Sequence, residues 1–311
     1  MLRYTLRQLE YFVAVGETGS IAMAAKKVNV SSPSISAAIT QLEKEFGLPL
    51  FVRRHAQGLS LTQAGRQMMD QARLVLREAN SLMDLAGDIS GTVRGPIAVG
   101  CLLTFAQVVL PTLRRRFEAD FPDVRLRQFE LNQVEIFSAL RRSDIDIALT
   151  YDLDVPSDLT FVPLAKLPPF VIVSDTHPLA DRPEVSVEDL TGHAMVLLDL
   201  PISADYFLSF FERTGTRPII AERTRDMAVM RSLVANGYGY SIANVRLLNT
   251  VSPDGKPLRF IPMTGPVRPL HMGYLMAPGA DKSHAVRAFV ELGQLLIRSG
   301  DLPGVGNSAL P

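Results

Sequence analysis

The sequence predicts an α/β protein with three parts in chain order: a small helical module, one long helix, and two lobes in which strands alternate with helices. Apolar residues recur every three or four positions in the first 46 residues, as amphipathic helices require. The same spacing continues from residue 62 to residue 90. From residue 95 onward, short apolar runs alternate with helical stretches, and this pattern favours parallel sheets covered by helices.

Composition narrows the classes of function. The chain of 311 residues has 32 Lys and Arg against 32 Asp and Glu, but residues 1–66 contain eight basic and four acidic residues. This excess of positive charge favours a nucleic acid partner at the N-terminal end only. One cysteine and five scattered histidines give no metal-ligand spacing, so we expect no metal and no cofactor. A leader peptide and a membrane span are also not expected, which indicates a cytoplasmic protein.

The residues from Ala24 to Leu50 predict two helices joined by a tight turn. Pro33 fits the first turn of the second helix, where its missing N–H costs little. That helix has one apolar face and an opposite face of small polar residues, which suits the DNA major groove. A hairpin over residues 48–61 would place two arginines near phosphates. The candidate DNA contacts are Lys26, Ser31, Ser32, Pro33, Ser34, Ser36, Ala37, Thr40, Gln41, Arg53 and Arg54.

The stretch FVAVGETGSIAMAAKKVNVSSPSISAAITQLEKEFGLPLFVRR, followed by LSLTQAG, resembles the winged helix-turn-helix of LysR-type transcriptional regulators. The resemblance implies a DNA-binding domain over 1–61, a linker helix over 62–90 and an effector domain like periplasmic binding proteins over 91–300. It also implies double-stranded DNA, a small-molecule effector and RNA polymerase as partners. A homodimer joined through the linker helix, and a homotetramer built from two dimers, follow in the same way.

The recognition helix departs from the family pattern. The family usually has Gln-Pro at the turn and a Ser-Arg pair three residues later, whereas this chain has Ser32-Pro33 and Ser36-Ala37. Short side chains cannot form the bidentate contacts of Gln or Arg, so we expect greater reliance on Thr40, Gln41 and DNA shape. Two alternatives stay open: the serines only cap the helix, and the hairpin arginines are only solvated.

The long helix carries small or apolar residues at alternating spacings of three and four. Such a seam predicts a coiled coil, and therefore a dimer. The alternative is a helix that packs on its own domain. The seam consists of Gly65, Met68, Ala72, Val75, Ala79, Leu82, Ala86 and Ile89.

Beyond a hinge at residues 89–96, the chain predicts lobe I over about 94–164 and 268–299 and lobe II over about 165–265. Within them we expect a helix over 104–119 and a turn over 237–244. The tail over 301–311 is expected to be disordered. Ligands of two-lobe α/β folds lie at the carboxyl ends of strands. The candidate effector contacts are therefore Cys101, Leu102, Leu103, Thr104, Tyr151, Asp199, Ser203 and Arg225.

A helix N-terminus near Thr104 together with Arg225 favours a small organic acid or a zwitterion as the effector. The charged candidates could instead be capping or turn residues. Cys101 could be a thiol sensor, but it has no partner cysteine and a buried, unreactive thiol is the simpler interpretation.

The sequence as a whole favours a transcriptional regulator that is not an enzyme, because it lacks a P-loop, a GxGxxG, an HExxH and a nucleophile elbow. A solute-binding or scavenging protein on the same two lobes is the alternative.

Overall fold

The computed structural model describes residues 3–54, 58–90 and 92–305, which form two compact units that divide between Gly91 and Thr92. None of the helices in these ranges combines the length and the hydropathy that crossing a bilayer would require. Each unit has its own hydrophobic core.

The N-terminal unit is the predicted winged helix-turn-helix followed by the long helix. Its elements are α1 (Leu6–Thr18), α2 (Ile21–Lys27), α3 (Ser32–Phe46), β1 (Phe51–Arg54), β2 (Gly58–Leu61) and α4 (Gln63–Ser90). The first three helices begin at hydroxyl N-caps, Thr5, Ser20 and Ser31, which satisfy otherwise free backbone N–H groups. β1 and β2 pair antiparallel and form the wing.

The first turns of α4 belong to the core of the N-terminal unit. Ala72 is only 4% exposed, and a Cβ at Gly65 would lie 2.1 Å from the carbonyl oxygen of Leu50. At these seam positions the small residues therefore serve packing within one chain, as the alternative interpretation held. Further along α4, Val75 and Leu82 are 40% and 67% exposed, so this part of the apolar stripe is uncovered in the single chain.

Lobe I begins the second unit and is built on a mixed sheet. Its first elements are β3 (Gly95–Leu102), α5 (Leu103–Ala106), α6 (Leu110–Asp120), β4 (Val124–Leu131), α7 (Gln133–Arg142), β5 (Ile147–Tyr151) and β6 (Thr160–Leu167). β3 pairs parallel with both β4 and β5. All five residues of β5 are buried, as expected for a central strand in a sheet with both faces covered.

Lobe II follows, and the chain then returns to lobe I. Lobe II contains β7 (Phe170–Ser174), β8 (Ala194–Leu198), α8 (Ser203–Thr214), β9 (Ile219–Thr224), α9 (Met227–Ala235), β10 (Ser241–Ala243) and β11 (Leu258–Pro262). The return consists of β12 (Leu270–Met276), which inserts antiparallel between β5 and β6, and α10 (His284–Ser299). Two crossovers, after β6 and before β12, therefore join the lobes.

The structure corrects four expectations, three about the second unit and one about the hinge that precedes it. The helix expected over 104–119 is divided into α5 and α6, because Pro111 lacks the N–H that a continuous helix needs. The turn expected around residues 237–244 contains the buried strand β10. The hinge expected over 89–96 is shorter, since α4 reaches Ser90 and β3 begins at Gly95.

The fourth correction concerns the tail. Leu302 and Val305 are 4% and 9% exposed, so residues 301–305 pack on the domain instead of being disordered. Two apolar side chains are enough to hold this segment against the surface. Residues 306–311 lie outside the described part of the chain, as do residues 55–57 between β1 and β2 in the sequence.

Candidate functional site

The start of α3 is held by hydroxyl groups. Ser31 is the N-cap, and its Oγ accepts from the backbone N–H of Ser34 at 3.3 Å and lies 2.8 Å from the Ser34 Oγ. Pro33 occupies the first turn, as predicted. The structure thus gives Ser31 and Ser34 a capping role, and any DNA contact by them stays a prediction.

The solvent-facing side of α3 presents short polar groups next to one long amide. Ser36, Ala37, Thr40 and Gln41 are exposed, whereas Ser32 is half-buried. The Thr40 hydroxyl donates to the Ser36 carbonyl at 3.0 Å, which leaves its methyl group and a lone pair for a ligand. This face has the size and polarity that a major-groove contact requires.

Gln41 is positioned by a residue that the sequence did not reveal. Gln8 of α1 donates from its Nε2 to the Gln41 Oε1 at 2.8 Å. The Gln8 Oε1 accepts the backbone N–H of Thr5 at 2.8 Å and so completes a capping box. A Gln three residues after a Thr is a sequence signal for the cap, but no local sequence pattern predicts the contact with α3.

Two neighbouring lysines before the recognition helix have different environments. Lys27 Nζ lies 2.5 Å from Glu17 Oε2, and the other Glu17 oxygen accepts from the buried Arg73 at 3.0 Å. Burial alone would raise the pKa of Glu17, but its bonds to Lys27 and Arg73 outweigh burial and hold that pKa below its usual value. Lys26 is exposed. Its charge is therefore the more available of the two for a phosphate.

We expect Lys26→Ala to lower the slope of log K against log salt by about one unit on any DNA sequence, as loss of one phosphate contact does. Lys27→Ala should change this slope less, because Glu17 already neutralises Lys27. Fluorescence anisotropy with labelled duplex DNA at several salt concentrations measures both slopes. Equal slopes for the two variants would contradict the assignment of the free charge to Lys26.

The wing arginines lie at the expected place in the fold. Arg53 and Arg54 end β1, with Leu59 and Gly58 as their partners in β2. Their side chains lie outside the described part of the structure, so phosphate contact by them stays a prediction. The wing is also tied to the end of α1, where the N–H of Leu59 donates to the carbonyl of Gly19 at 2.8 Å.

The second candidate site is a narrow cavity of about 20 Å³ between the lobes. This volume holds a water molecule and little more, so a larger ligand requires the lobes to separate. Its polar lining comes from Thr104, Tyr151, Ser203 and Asn244. The apolar lining comes from Leu198, Leu200, Phe207, Met227, Ile242, Ala243, Val245 and Leu270.

Three oxygens of this lining are buried without a hydrogen-bond partner in the described structure: Thr104 Oγ1, Ser203 Oγ and Asn244 Oδ1. The three residues are 8%, 6% and 4% exposed. Buried polar atoms normally have partners, and leaving one unpaired costs roughly 1–3 kcal/mol. Three such atoms around one cavity are what a binding site for a hydrogen-bonding ligand presents.

Asn244 also connects the cavity to both crossovers. Its Nδ2 donates to the carbonyl of Leu167 at 2.9 Å, at the end of β6, and to the Tyr206 hydroxyl at 3.1 Å. The Tyr206 hydroxyl donates in turn to the carbonyl of Arg268 at 2.6 Å, in the second crossover. One amide therefore faces the cavity with its oxygen and holds the inter-lobe connections with its nitrogen. Asn244 was not among the residues predicted from the sequence.

The structure brings together three of the predicted effector residues, Thr104, Tyr151 and Ser203, in the cavity lining. Asp199 lies outside the lining and pairs with Arg223 at 3.4 Å, and Arg225 is exposed. Leu102 and Leu103 pack in hydrophobic clusters. These four residues do not line this cavity, and effector contact by them stays a prediction.

Cys101 also lies outside the lining, fully buried in the lobe I core. Burial raises the pKa of its thiol well above the usual value, and the charge of Glu130 adds to the shift. Reactive cysteines need an accessible thiolate, which this environment disfavours.

Comparisons with known proteins cover nearly the whole chain. The model described as "Bacterial regulatory helix-turn-helix protein, lysR family" matches residues 6–66, and the model "LysR substrate binding domain" matches residues 90–294. The DNA-binding transcriptional dual regulator OxyR of Escherichia coli is 28% identical over 278 residues, 88% of this chain and 90% of that protein.

Two solved structures agree. A putative LysR family transcriptional regulator from Pseudomonas aeruginosa is 32% identical with a TM-score of 0.64, covering 95% of this chain and 100% of that chain. Full-length OxyR C199D from the same organism has a TM-score of 0.80 at 21% identity, covering 100% of this chain and 99% of that chain, and shows the shared fold.

Proposed function

Because the chain belongs to the LysR family of transcriptional regulators, we propose that its activity is controlled by a small uncharged polar effector bound between the two lobes. The three unpaired buried oxygens of the cavity support this chemistry most directly. The family match supports the regulator and not the solute-binding alternative, since the helix-turn-helix model covers residues 6–66.

An uncharged ligand fits the cavity better than the organic acid or zwitterion expected from the sequence. Its lining contains hydroxyl groups and one amide but no Asp, Glu, Lys, Arg or His side chain. Burying a carboxylate without a cation or several N–H donors is costly. α5, which begins at Leu103, has only four residues and offers a small helix dipole. At α8, which begins at Ser203, the N–H groups of Ser203 and Ala204 already donate to backbone carbonyls. A ligand with its own donors and acceptors would pair the free oxygens at no such cost.

The names of the relatives do not by themselves identify the effector of this chain. Several are hydrogen peroxide-inducible genes activators, among them one from Haemophilus influenzae that is 26% identical over 277 residues. A disulfide switch within one chain needs two cysteines, and this chain has only Cys101. We therefore propose that the effector acts by hydrogen bonding between the lobes and that Cys101 takes no part.

The proposed mechanism is a shift in the population of lobe arrangements. A ligand that pairs with Asn244 Oδ1 would change the bonds that its Nδ2 makes with the crossovers. On the DNA side, we propose that the exposed face of α3 contacts base edges and that Lys26, Arg53 and Arg54 contact phosphates.

Assembly into a dimer is proposed to use the second half of α4. Val75, Leu82 and Leu85 are 40%, 67% and 54% exposed and lie three or seven residues apart, so they share one face. A homotetramer and contact with RNA polymerase are supported only by membership in the family, and they remain proposals.

The effector proposal is tested by thermal unfolding of the full chain with matched pairs of ligands, each a carboxylate and its primary amide. We expect amides such as propionamide to raise the melting temperature and propionate to leave it unchanged, because binding to the folded state adds RT ln(1 + [L]/Kd) to stability. Ser203→Ala should abolish the shift. Ser209→Ala is the matched control on α8, because Ser209 only donates to the Tyr206 carbonyl.

Stabilisation by propionate alone, or an amide effect that survives Ser203→Ala, would contradict an uncharged effector in this cavity. A gel shift with the DNA upstream of the gene, with and without the stabilising amide, then tests whether the ligand alters DNA binding.

A further inference from the structure

The contact between Gln8 and Gln41 fixes the orientation of an amide on the recognition helix. A glutamine side chain can present either its oxygen or its nitrogen to a partner, and the hydrogen-bond network decides which. Here a backbone N–H group fixes the orientation of the Gln8 amide. The Thr5 N–H can only donate, so the Gln8 oxygen must face it, at 2.8 Å.

The Gln8 nitrogen is then the atom directed at α3, and it donates to the Gln41 Oε1 at 2.8 Å. Gln41 is exposed on α3. Because its oxygen is held against α1, its NH₂ group is the end free to meet a ligand. Within the described part of the chain, no hydrogen bond engages the Gln41 Nε2.

We propose that Gln8 is a positioning residue for sequence recognition: it turns Gln41 so that the amide NH₂ faces the major groove and selects bases that present an acceptor there. Guanine, adenine and thymine offer N7, O6 or O4 in the major groove, whereas cytosine offers only its N4 donor. Gln41 therefore discriminates against cytosine at the base it meets. This inference rests on the proposed contact of the exposed face of α3 with base edges.

The orientation can be reversed by one substitution. In Gln8→Glu, a carboxylate oxygen still accepts the Thr5 N–H and keeps the capping box, since Glu is also suited to that position. The second carboxylate oxygen cannot donate, so Gln41 must turn its NH₂ toward it. The Gln41 oxygen then faces the groove and favours a donor, which is the N4 of cytosine or the N6 of adenine.

The experiment is selection from a random double-stranded DNA library by the full-length protein, with sequencing of the bound pool. For the wild type we expect cytosine to be depleted about fivefold at one position of each half-site, the effect of one net hydrogen bond. Gln41→Ala should flatten that position. Gln8→Glu should reverse it, so that cytosine becomes enriched and guanine and thymine become depleted, while adenine is accepted in both cases.

Arg7→Gln is the matched control. It lowers the charge of α1 by one unit, as Gln8→Glu does, on an exposed residue one position away. It should weaken binding to all sequences alike and leave the base preference unchanged.

The role of Gln8 would be overturned if Gln41→Ala removes the base preference but Gln8→Glu keeps the preference of the wild type. An unchanged preference in Gln41→Ala would overturn the inference as well. Thr40→Val shows whether such a result concerns Gln41 alone or the whole exposed face of α3. If Thr40→Val alters the selected sequences, α3 still contacts bases through this face. If neither Thr40→Val nor Gln41→Ala alters them, the proposed contact of this face with bases is wrong.

Discussion

The variant Gly65→Ala should melt the DNA-binding unit well below the temperature of the wild type. The added Cβ would lie 2.1 Å from the Leu50 carbonyl oxygen and 3.2 Å from a methyl group of Leu61. The Leu50 carbonyl cannot easily move, since it accepts the Thr62 N–H at 3.0 Å and Leu50 is fully buried. We expect a loss of roughly 1–3 kcal/mol in the free energy of unfolding, the usual range for overpacking.

Gln67→Ala is the control for this prediction, because Gln67 is exposed on the same helix and alanine is an equally good helix former. Thermal unfolding followed by circular dichroism at 222 nm compares the variants, and DNA affinity at a temperature between their midpoints reports whether the N-terminal unit is the part that melts. Identical melting curves for the two variants would show that the wing base yields to the extra methyl group.

The same glycine shows where sequence patterns become ambiguous. Gly65 and Ala72 lie on a coiled-coil seam by spacing, yet they pack against α1 and the wing. Spacing of three and four defines a helix face but does not say whether the partner is the same chain or a second one. The exposed Val75 and Leu82 separate the two uses, and this separation requires tertiary structure.

Local signals were more reliable. The N-caps at Ser20 and Ser31 and the left-handed Gly47 that ends α3 depend on a few neighbouring residues, so boundaries of this kind can be recognised from the sequence. Strand alternation likewise identified the two lobes. β11 was not predicted, and its pairing with β7, in which Leu258 lies opposite Ser174, is a long-range contact that no local pattern shows.

The candidate binding sites also depend on contacts between residues that are far apart in the sequence. The rule that ligands lie at strand ends selected Thr104, Tyr151 and Ser203, and these three residues line the inter-lobe cavity. It could not separate them from the charged Asp199, whose side chain pairs with Arg223 outside the lining. Asn244 was not predicted, because its importance comes from contacts with Leu167 and Tyr206, far away in sequence.

Gln133→Leu should destabilise the effector domain by roughly 3 kcal/mol or more, because it leaves several buried polar groups unpaired at once. Gln133 is fully buried, and its Nε2 donates to the carbonyls of Tyr151 at 3.2 Å and Leu153 at 3.1 Å. Its Oε1 accepts the hydroxyl of Thr150, which is also fully buried. Leucine has a similar volume, so the lost hydrogen bonds dominate the effect.

Val134→Gln is the control, since Val134 is the next residue of α7 and is 47% exposed. Urea unfolding of the full chain gives the two free energies, and the control should stay within about 0.5 kcal/mol of the wild type. A second variant, Gln133→Leu with Thr150→Val, isolates the hydroxyl. If the unpaired Thr150 contributes to the loss, the double variant will be more stable than Gln133→Leu alone.

The consequence for function follows from Tyr151. Its carbonyl is held by Gln133, and its side chain lines the inter-lobe cavity. Gln133→Leu should therefore also weaken the binding of propionamide, measured by isothermal titration calorimetry at a temperature where the domain is still folded. Lower stability with an unchanged ligand response would mean that Gln133 supports the core of lobe I without setting the shape of the cavity.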